Sequence, residues 1–142
     1  MAFDGVTIAS IVKELSDKLA DGRIYKIAQP EKDELLLTIK ASKQQYRLSI
    51  SADASLPLLY LTEENKKSPL TAPNFCMLLR KHIGNGKICD IEQMGLERVL
   101  RLSIEHRDEM GDLSIKFLYV EIMVKHSNII FTDSDNKIID SI

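Results

Sequence analysis

Apolar residues recur with two different periods along this chain, and the switches between them mark out helices and strands. Over residues 7–20 the spacing is helical: Ile8, Ile11, Val12, Leu15 and Leu19 fall within an arc of roughly 100° when counted at 100° per residue. Ser10, Lys13, Glu14 and Asp17 cover the opposite side. Asp4 or Thr7 can cap the start of this helix, and Gly22 is expected to supply the left-handed stop. Its apolar stripe must pack on something. The next three segments, 23–30, 34–41 and 45–51, have strand length and are joined by short polar connections. Leu35, Leu37 and Ile39 share one face of the second. Tyr46, Leu48 and Ile50 alternate with Arg47, Ser49 and Ser51 in the third. This predicts an antiparallel meander with one wet face, extended by a short strand at 58–62.

Residues 63–72 form a long polar loop, of the kind that often carries function. Pro73 then opens a second helix, which Gly84-Asn85-Gly86 ends. Phe75, Cys76, Leu78, Leu79 and Ile83 make its apolar arc. His82 falls inside that arc and is expected to be mostly buried, while Arg80 and Lys81 point outward. Cys76 and His82 lie about 240° apart around the axis, so they cannot act as a nucleophile and its base on this helix.

The last third returns to strands at 87–94, 98–106, 113–124, 128–132 and 137–142. In Glu121-Ile122-Met123-Val124-Lys125-His126-Ser127-Asn128-Ile129-Ile130, two apolar strands flank a polar tetrad, which predicts a hairpin with that tetrad at its tip. No internal repeat is visible. The last strand stops without a cap, which predicts a truncated chain. The fold class expected is α+β: a single domain over residues 1–142, a β-rich sandwich with two principal helices.

A 44% hydrophobic and 28% charged composition is that of an ordinary globular chain. No run approaches the length of a membrane span, and Met1-Ala2-Phe3-Asp4 is no signal peptide. Cys76 and Cys89 have no metal-type spacing and form no disulfide framework, which points to a reducing cytoplasm. A net charge of −2 argues against nucleic-acid binding through bulk charge, but not against a local basic patch such as Arg80-Lys81-His82 or Lys66-Lys67. There is no phosphate-binding glycine loop, no paired-His metal motif and no serine elbow, so neither catalysis nor a metal or other cofactor is expected. His82, His106 and His126 are scattered over different elements. Two charges are unusual. Arg98 shares parity with Leu100, Leu102 and Ile104 at the start of an apolar face. Glu121 shares its face with Phe117, Tyr119 and Met123, and if that face is buried it needs a cation, with Arg98 and Lys125 the candidates.

Several phrases, taken together and in order, resemble the NFACT family. They are Phe3-Asp4-Gly5; Asp21-Gly22-Arg23-Ile24 with Lys26-Ile27; Gln29-Pro30-Glu31-Lys32-Asp33-Glu34-Leu35; the run from Pro73 to His82; Gly95-Leu96-Glu97-Arg98; and Glu121 to Asn128. That family includes Gram-positive proteins called fibronectin- or fibrinogen-binding and the bacterial quality-control factor RqcH. The resemblance implies an N-terminal domain similar in fold to that of formamidopyrimidine-DNA glycosylases. Ala2 and Phe3 stand where those enzymes have their proline nucleophile and glutamate, so glycosylase activity is not implied. It does imply a non-catalytic module binding the obstructed large ribosomal subunit with its peptidyl-tRNA, and recruiting tRNA for C-terminal alanine tailing. Glu97 and Arg98 match the family's acidic-Arg pair, usually Asp-Arg, and Val124 stands where Gly is commoner. Arg80, Lys81, Lys125 and His126 are the further candidates for contact with tRNA or rRNA backbone, where cations displace counterions. The family's helix-hairpin-helix, coiled-coil and RNA-binding segments do not follow within these residues. The alternatives are a fibronectin- or fibrinogen-binding surface adhesin and a structural scaffold domain.

Overall fold

The computed structural model describes residues 5–52, 58–62, 71–95, 98–122 and 128–142. Two helices, α1 (Gly5–Leu19) and α2 (Asn74–Ile83), accompany nine strands among these residues. The strands are β1 (Arg23–Glu31), β2 (Glu34–Ala41), β3 (Gln44–Ser51), β4 (Leu58–Thr62), β5 (Lys87–Gln93), β6 (Val99–Arg107), β7 (Leu113–Glu121), β8 (Asn128–Thr132) and β9 (Ile138–Ser141). They pair antiparallel in the order β4-β3-β2-β1-β5-β6-β7-β8-β9. The expected α+β, β-rich class is what is found, with each predicted helix and strand represented; residues 63–70 of the predicted polar loop and 123–127 at the predicted hairpin tip lie outside the described residues.

The sheet has a seam at its middle. β1 and β5 meet in register only at Arg23↔Lys87, whereas the strands on either side pair along their lengths. Buried side chains from both sides of the seam, among them Leu37, Leu48, Leu102 and Phe131, belong to one core cluster with Leu15, Leu19, Leu79 and Ile83 of the helices. The two half-sheets therefore curl so that their inner faces share a single core. Each helix spans the seam: α1 packs on β5 and β2, and α2 on β1 and β6.

Around the seam the molecule repeats itself, which the sequence had concealed. The amide of Asp21 donates to the Ile88 carbonyl and that of Asn85 to the Ile24 carbonyl, both at 2.9 Å. Ile24 N donates to Gly86 O at 2.9 Å, and Ile88 N to Gly22 O at 2.8 Å. Ser16 Oγ donates to the Ile91 carbonyl at 3.0 Å, as Arg80 Nε does to the Ile27 carbonyl at 2.9 Å. In each pair of bonds the residue numbers differ by one constant offset, so the contacts obey a pseudo-two-fold axis between Arg23 and Lys87. The same offset relates the register shift at Ile24/Lys26 to the one at Ile88/Asp90. It also aligns Leu15 with Leu79, Leu19 with Ile83 and Ile27 with Ile91, all buried.

Two local expectations are corrected. Gly22 does not take the left-handed conformation; Asp21 does, at φ 64°, and Asn85 does so in the second half at the same angle. Asp and Asn tolerate that region because their short polar side chains hydrogen-bond locally. Gly22 and Gly86 are needed for a different reason: a Cβ on Gly22 would lie 2.7 Å from Ile39 Cγ2, and one on Gly86 2.7 Å from Ile104 Cγ2. The meander's wet face is also missing at β2, where Leu36 and Thr38 are buried along with Leu35, Leu37 and Ile39. The cross-strand partners of Leu36, Ala28 and Ser49, are buried too.

Candidate functional site

The hairpin ladder fixes one end of the second half-sheet. Gly95, at φ 65°, turns the chain after β5, and Met94 N donates to Val99 O at 2.9 Å to close that turn. Arg98 follows, exposed, with its carbonyl accepting from Ile122 N at 2.9 Å. Glu121 pairs with Val99 on one side and Asn128 on the other. Arg98, Ile122 and Asn128 therefore stand at one end of three adjacent strands. Glu97, Lys125 and His126 lie outside the described residues, so the charged partners expected around Arg98 are not located.

Glu121 overturns the expectation attached to it. In β7 the buried side chains are Leu118 and Val120, followed by Ile122; Phe117, Tyr119 and Glu121 are half-exposed on the other face. Glu121 is thus on the outward side, and among the described residues it forms no ion pair. That face also carries Arg101, which pairs with Glu92 across β5–β6 and sits 4.6 Å from the centre of the Phe117 ring. Alternation had revealed that β7 has two unlike faces, but aromatic residues on the wetter one disguised which was which.

Arg80 and Lys81 lie at the opposite end. β6 separates them from Arg98 by its whole length, roughly 26 Å at the rise of an extended strand. Both are exposed, as expected. Arg80 Nε nonetheless spans the seam to Ile27, so this cation has a structural task. Beside it, burial pushes the Cys76 thiol pKa up, against the opposing pull of the Arg80 charge, and the thiol donates weakly to the same Ile27 carbonyl at 3.6 Å. His82 is half-buried rather than mostly buried, its ring 5.9 Å from that of Phe131.

His82 also opens onto a cavity of about 470 Å³, lined with it by Lys81, His106, Arg107, Met110 and Lys116 and by the acids Asp108 and Glu109. The scattered histidines of the sequence are here partly reunited: His82 comes from α2 and His106 from the end of β6. Burial lowers the His82 pKa first, and the nearby charges of Lys116, Lys81 and His106 lower it further. Sequence reasoning missed His106, Arg107 and Lys116, because no spacing links positions that only the β6–β7 hairpin and α2 bring together. Among the described residues no group of three or more His, Cys, Asp or Glu side chains could hold a metal ion. No described helix is long and apolar enough to cross a membrane.

The family described as NFACT N-terminal and middle domains matches residues 4–142. The Rqc2 homolog RqcH of Bacillus subtilis is 44% identical over 100% of this chain and 25% of its own length. The archaeal Rqc2 homolog aRqcH of Methanocaldococcus jannaschii is 31% identical over 94% of this chain and 19% of its own. This chain thus spans about a quarter of the bacterial relative. Among solved structures, the N-terminal domain of the fibronectin-binding protein PavA from Streptococcus pneumoniae superposes with a TM-score of 0.95 at 37% identity, over 99% of this chain and 55% of that one. The chain belongs to the NFACT family, and the residues described here lie within its N-terminal and middle domains.

Proposed function

We propose that this chain is a non-catalytic RNA-binding module of a cytoplasmic ribosome-associated quality-control factor. The large ribosomal subunit carrying peptidyl-tRNA, and tRNA itself, are its partners in tailing stalled chains. The observation that carries this reading is Arg98, an exposed guanidinium at a strand end beside the hairpin of β7 and β8, in a chain matched along its full length by a bacterial Rqc2 homolog. A guanidinium presents a planar fork suited to a phosphate, and Glu97 next to it can orient that fork or repel a wrong register. Lys125 and His126 add charge from the β7–β8 connection, and Lys81 from α2. Arg80 contributes only the part of its guanidinium not bonded to Ile27.

In the full-length protein, Arg98→Ala should abolish or cripple C-terminal tailing without changing the unfolding midpoint, while Glu97→Asp should keep activity. Unchanged tailing, or an unfolded domain, would show that Arg98 is structural. A second reading, binding of fibronectin or fibrinogen, is favoured by the close superposition on PavA's N-terminal domain. Salt separates the two: phosphate contacts weaken steeply as ionic strength rises. Matrix-protein binding that tolerates salt, together with absent tRNA binding, would favour the second.

A further inference from the structure

The cavity between α2 and the β6–β7 turn is not something the frame requires, because the first half carries the same frame without its features. By cross-strand register, His106 corresponds to buried Ala41 and Lys116 to Tyr46. His82 and Lys81 correspond to Lys18 and Asp17 of α1. Where the second half turns through Asp108 to Asp112, the first turns tightly through Ser42 and Lys43, both at positive φ. The second half thus gathers three cations and two imidazoles, whereas the matched positions of the first hold a small apolar side chain, a tyrosine, an acid and a single lysine.

Those cations are available. Lys81, Arg107 and Lys116 form no ion pair among the described residues. Arg107 donates one Nη1 bond to the Gly111 carbonyl at 3.0 Å, and Lys116 one to Ser114 Oγ at 3.1 Å, both neutral acceptors. Of the two acids at the rim, Asp108 uses Oδ1 to accept the Met110 and Asp112 amides, each at 2.9 Å, and Glu109 is exposed. The cavity's volume falls in the usual range for small-ligand pockets, about 300–1,000 Å³, with room for one nucleotide and not for a duplex.

We propose that this cavity binds a single ribonucleotide, its phosphate held by Lys81, Arg107 and Lys116 and its base laid against His82, His106 and Met110. The nucleotide is either free or an unstacked residue of an RNA strand, since both present the same phosphate and ring. The site lies at the other end of β6 from Arg98 and shares only Lys81 with the RNA-binding reading above, so it stands without that reading. A phosphate between Lys81 and Lys116 offsets the positive field that disfavours a proton on His82, so bound ligand raises the His82 pKa and affinity grows as pH falls through the histidine range.

The test is a histidine-resolved NMR titration of the 142-residue chain with adenosine, adenosine monophosphate and an eight-residue single-stranded oligoadenylate. The monophosphate should shift His82 and His106 and raise the His82 pKa, and adenosine should do neither at equal concentration. Lys81→Ala and Lys116→Gln should each weaken monophosphate binding roughly tenfold, as expected for one charge-assisted phosphate bond. If the oligonucleotide binds but leaves both histidines unmoved, or adenosine and its monophosphate act alike, the inference is overturned. Oligonucleotide binding lost in Arg98→Ala yet intact in the two lysine variants would remove this site and leave Arg98 standing. Monophosphate binding that survives Arg98→Ala, with no oligonucleotide binding at all, would do the reverse. Competition by a glutamate-rich peptide as strong as the monophosphate's would replace the nucleotide with an acidic protein ligand and overturn it too.

Discussion

At the end of β2 the chain finishes on buried Ala41 and reverses through Ser42 and Lys43, at φ 48° and 68°. At the corresponding end of β6 it finishes on His106 and Arg107 and takes the longer path from Asp108 to Asp112. Elsewhere the halves agree closely: a buried leucine one turn before each helix end, a left-handed Asp or Asn, a glycine pressed against an isoleucine of the second strand that follows it, and a bulge in each hairpin. What repeats is what the seam and the shared core need. What differs lies on the surface and is free to serve something else. Arg80 against Ser16 shows that a repeated bond does not need a repeated residue, because the Ile27 and Ile91 carbonyls each accept a donor from the facing helix, whatever side chain supplies it.

The comparison breaks most visibly in the core. Leu15→Ala and Leu79→Ala remove matching side chains that are 2% and 0% exposed, and each should lower unfolding free energy by about 3 kcal/mol in urea titrations. A difference of more than about 2 kcal/mol between them would mean that the two helices are not equivalent supports.

A smaller effect comes from the bonds across the seam. Ser16→Ala and Arg80→Ala should each cost about 1 kcal/mol, whereas the neighbouring Lys81→Ala should cost less than about 0.5 kcal/mol. Equal losses for Arg80→Ala and Lys81→Ala would leave the Arg80 bond without a structural role.

The smallest effect is a pH dependence confined to the second half. The folded His82 pKa lies below the unfolded value near 6.5, so the unfolded chain takes up the extra proton. The stability linked to neutral His82 is full above that value and declines as pH falls through it towards the folded pKa. Thermal unfolding followed from pH 7.5 to 5.5 should show a decline that His82→Gln reduces. Lys18 holds the same position of the first helix and carries no imidazole, so Lys18→Gln should leave the slope as it is. An unaltered slope in His82→Gln would sever the histidine from this behaviour.

Local order was legible in the sequence. The helical spacing from Ile11 to Leu19 and from Phe75 to Ile83, and the inward faces of Leu48 and Ile50 in β3 and of Leu100, Leu102 and Ile104 in β6, sit where periodicity put them, because these patterns depend on residues three, four or two positions apart; Gly95 turns the chain as expected. The exposure of Arg80 and Lys81 followed from the same reasoning, whereas Arg98 has the parity of the apolar face and is exposed just before β6 begins. The inward side of β7 did not follow from it. Phe117 and the ring of Tyr119 offer as much apolar surface as Leu118 and Val120, and only contact with the core says which pair is inside.

Tertiary structure alone decided the rest. The repeat went unseen because its identical pairs, Leu15 with Leu79, Gly22 with Gly86, Ile24 with Ile88 and Ile27 with Ile91, are interspersed with unlike ones such as Ser16 with Arg80, while the hydrogen bonds that reveal it cross the seam between distant segments. The candidate residues were divided in the same way. Arg98 and Lys81 look like members of one basic set along the chain, yet β6 carries them to opposite ends of the sheet. His82 and His106, unrelated by spacing, meet at one cavity. A chain's pattern records which side of an element is apolar; which elements then face one another is fixed by the packing of a common core, and that information is spread over contacts no local window contains.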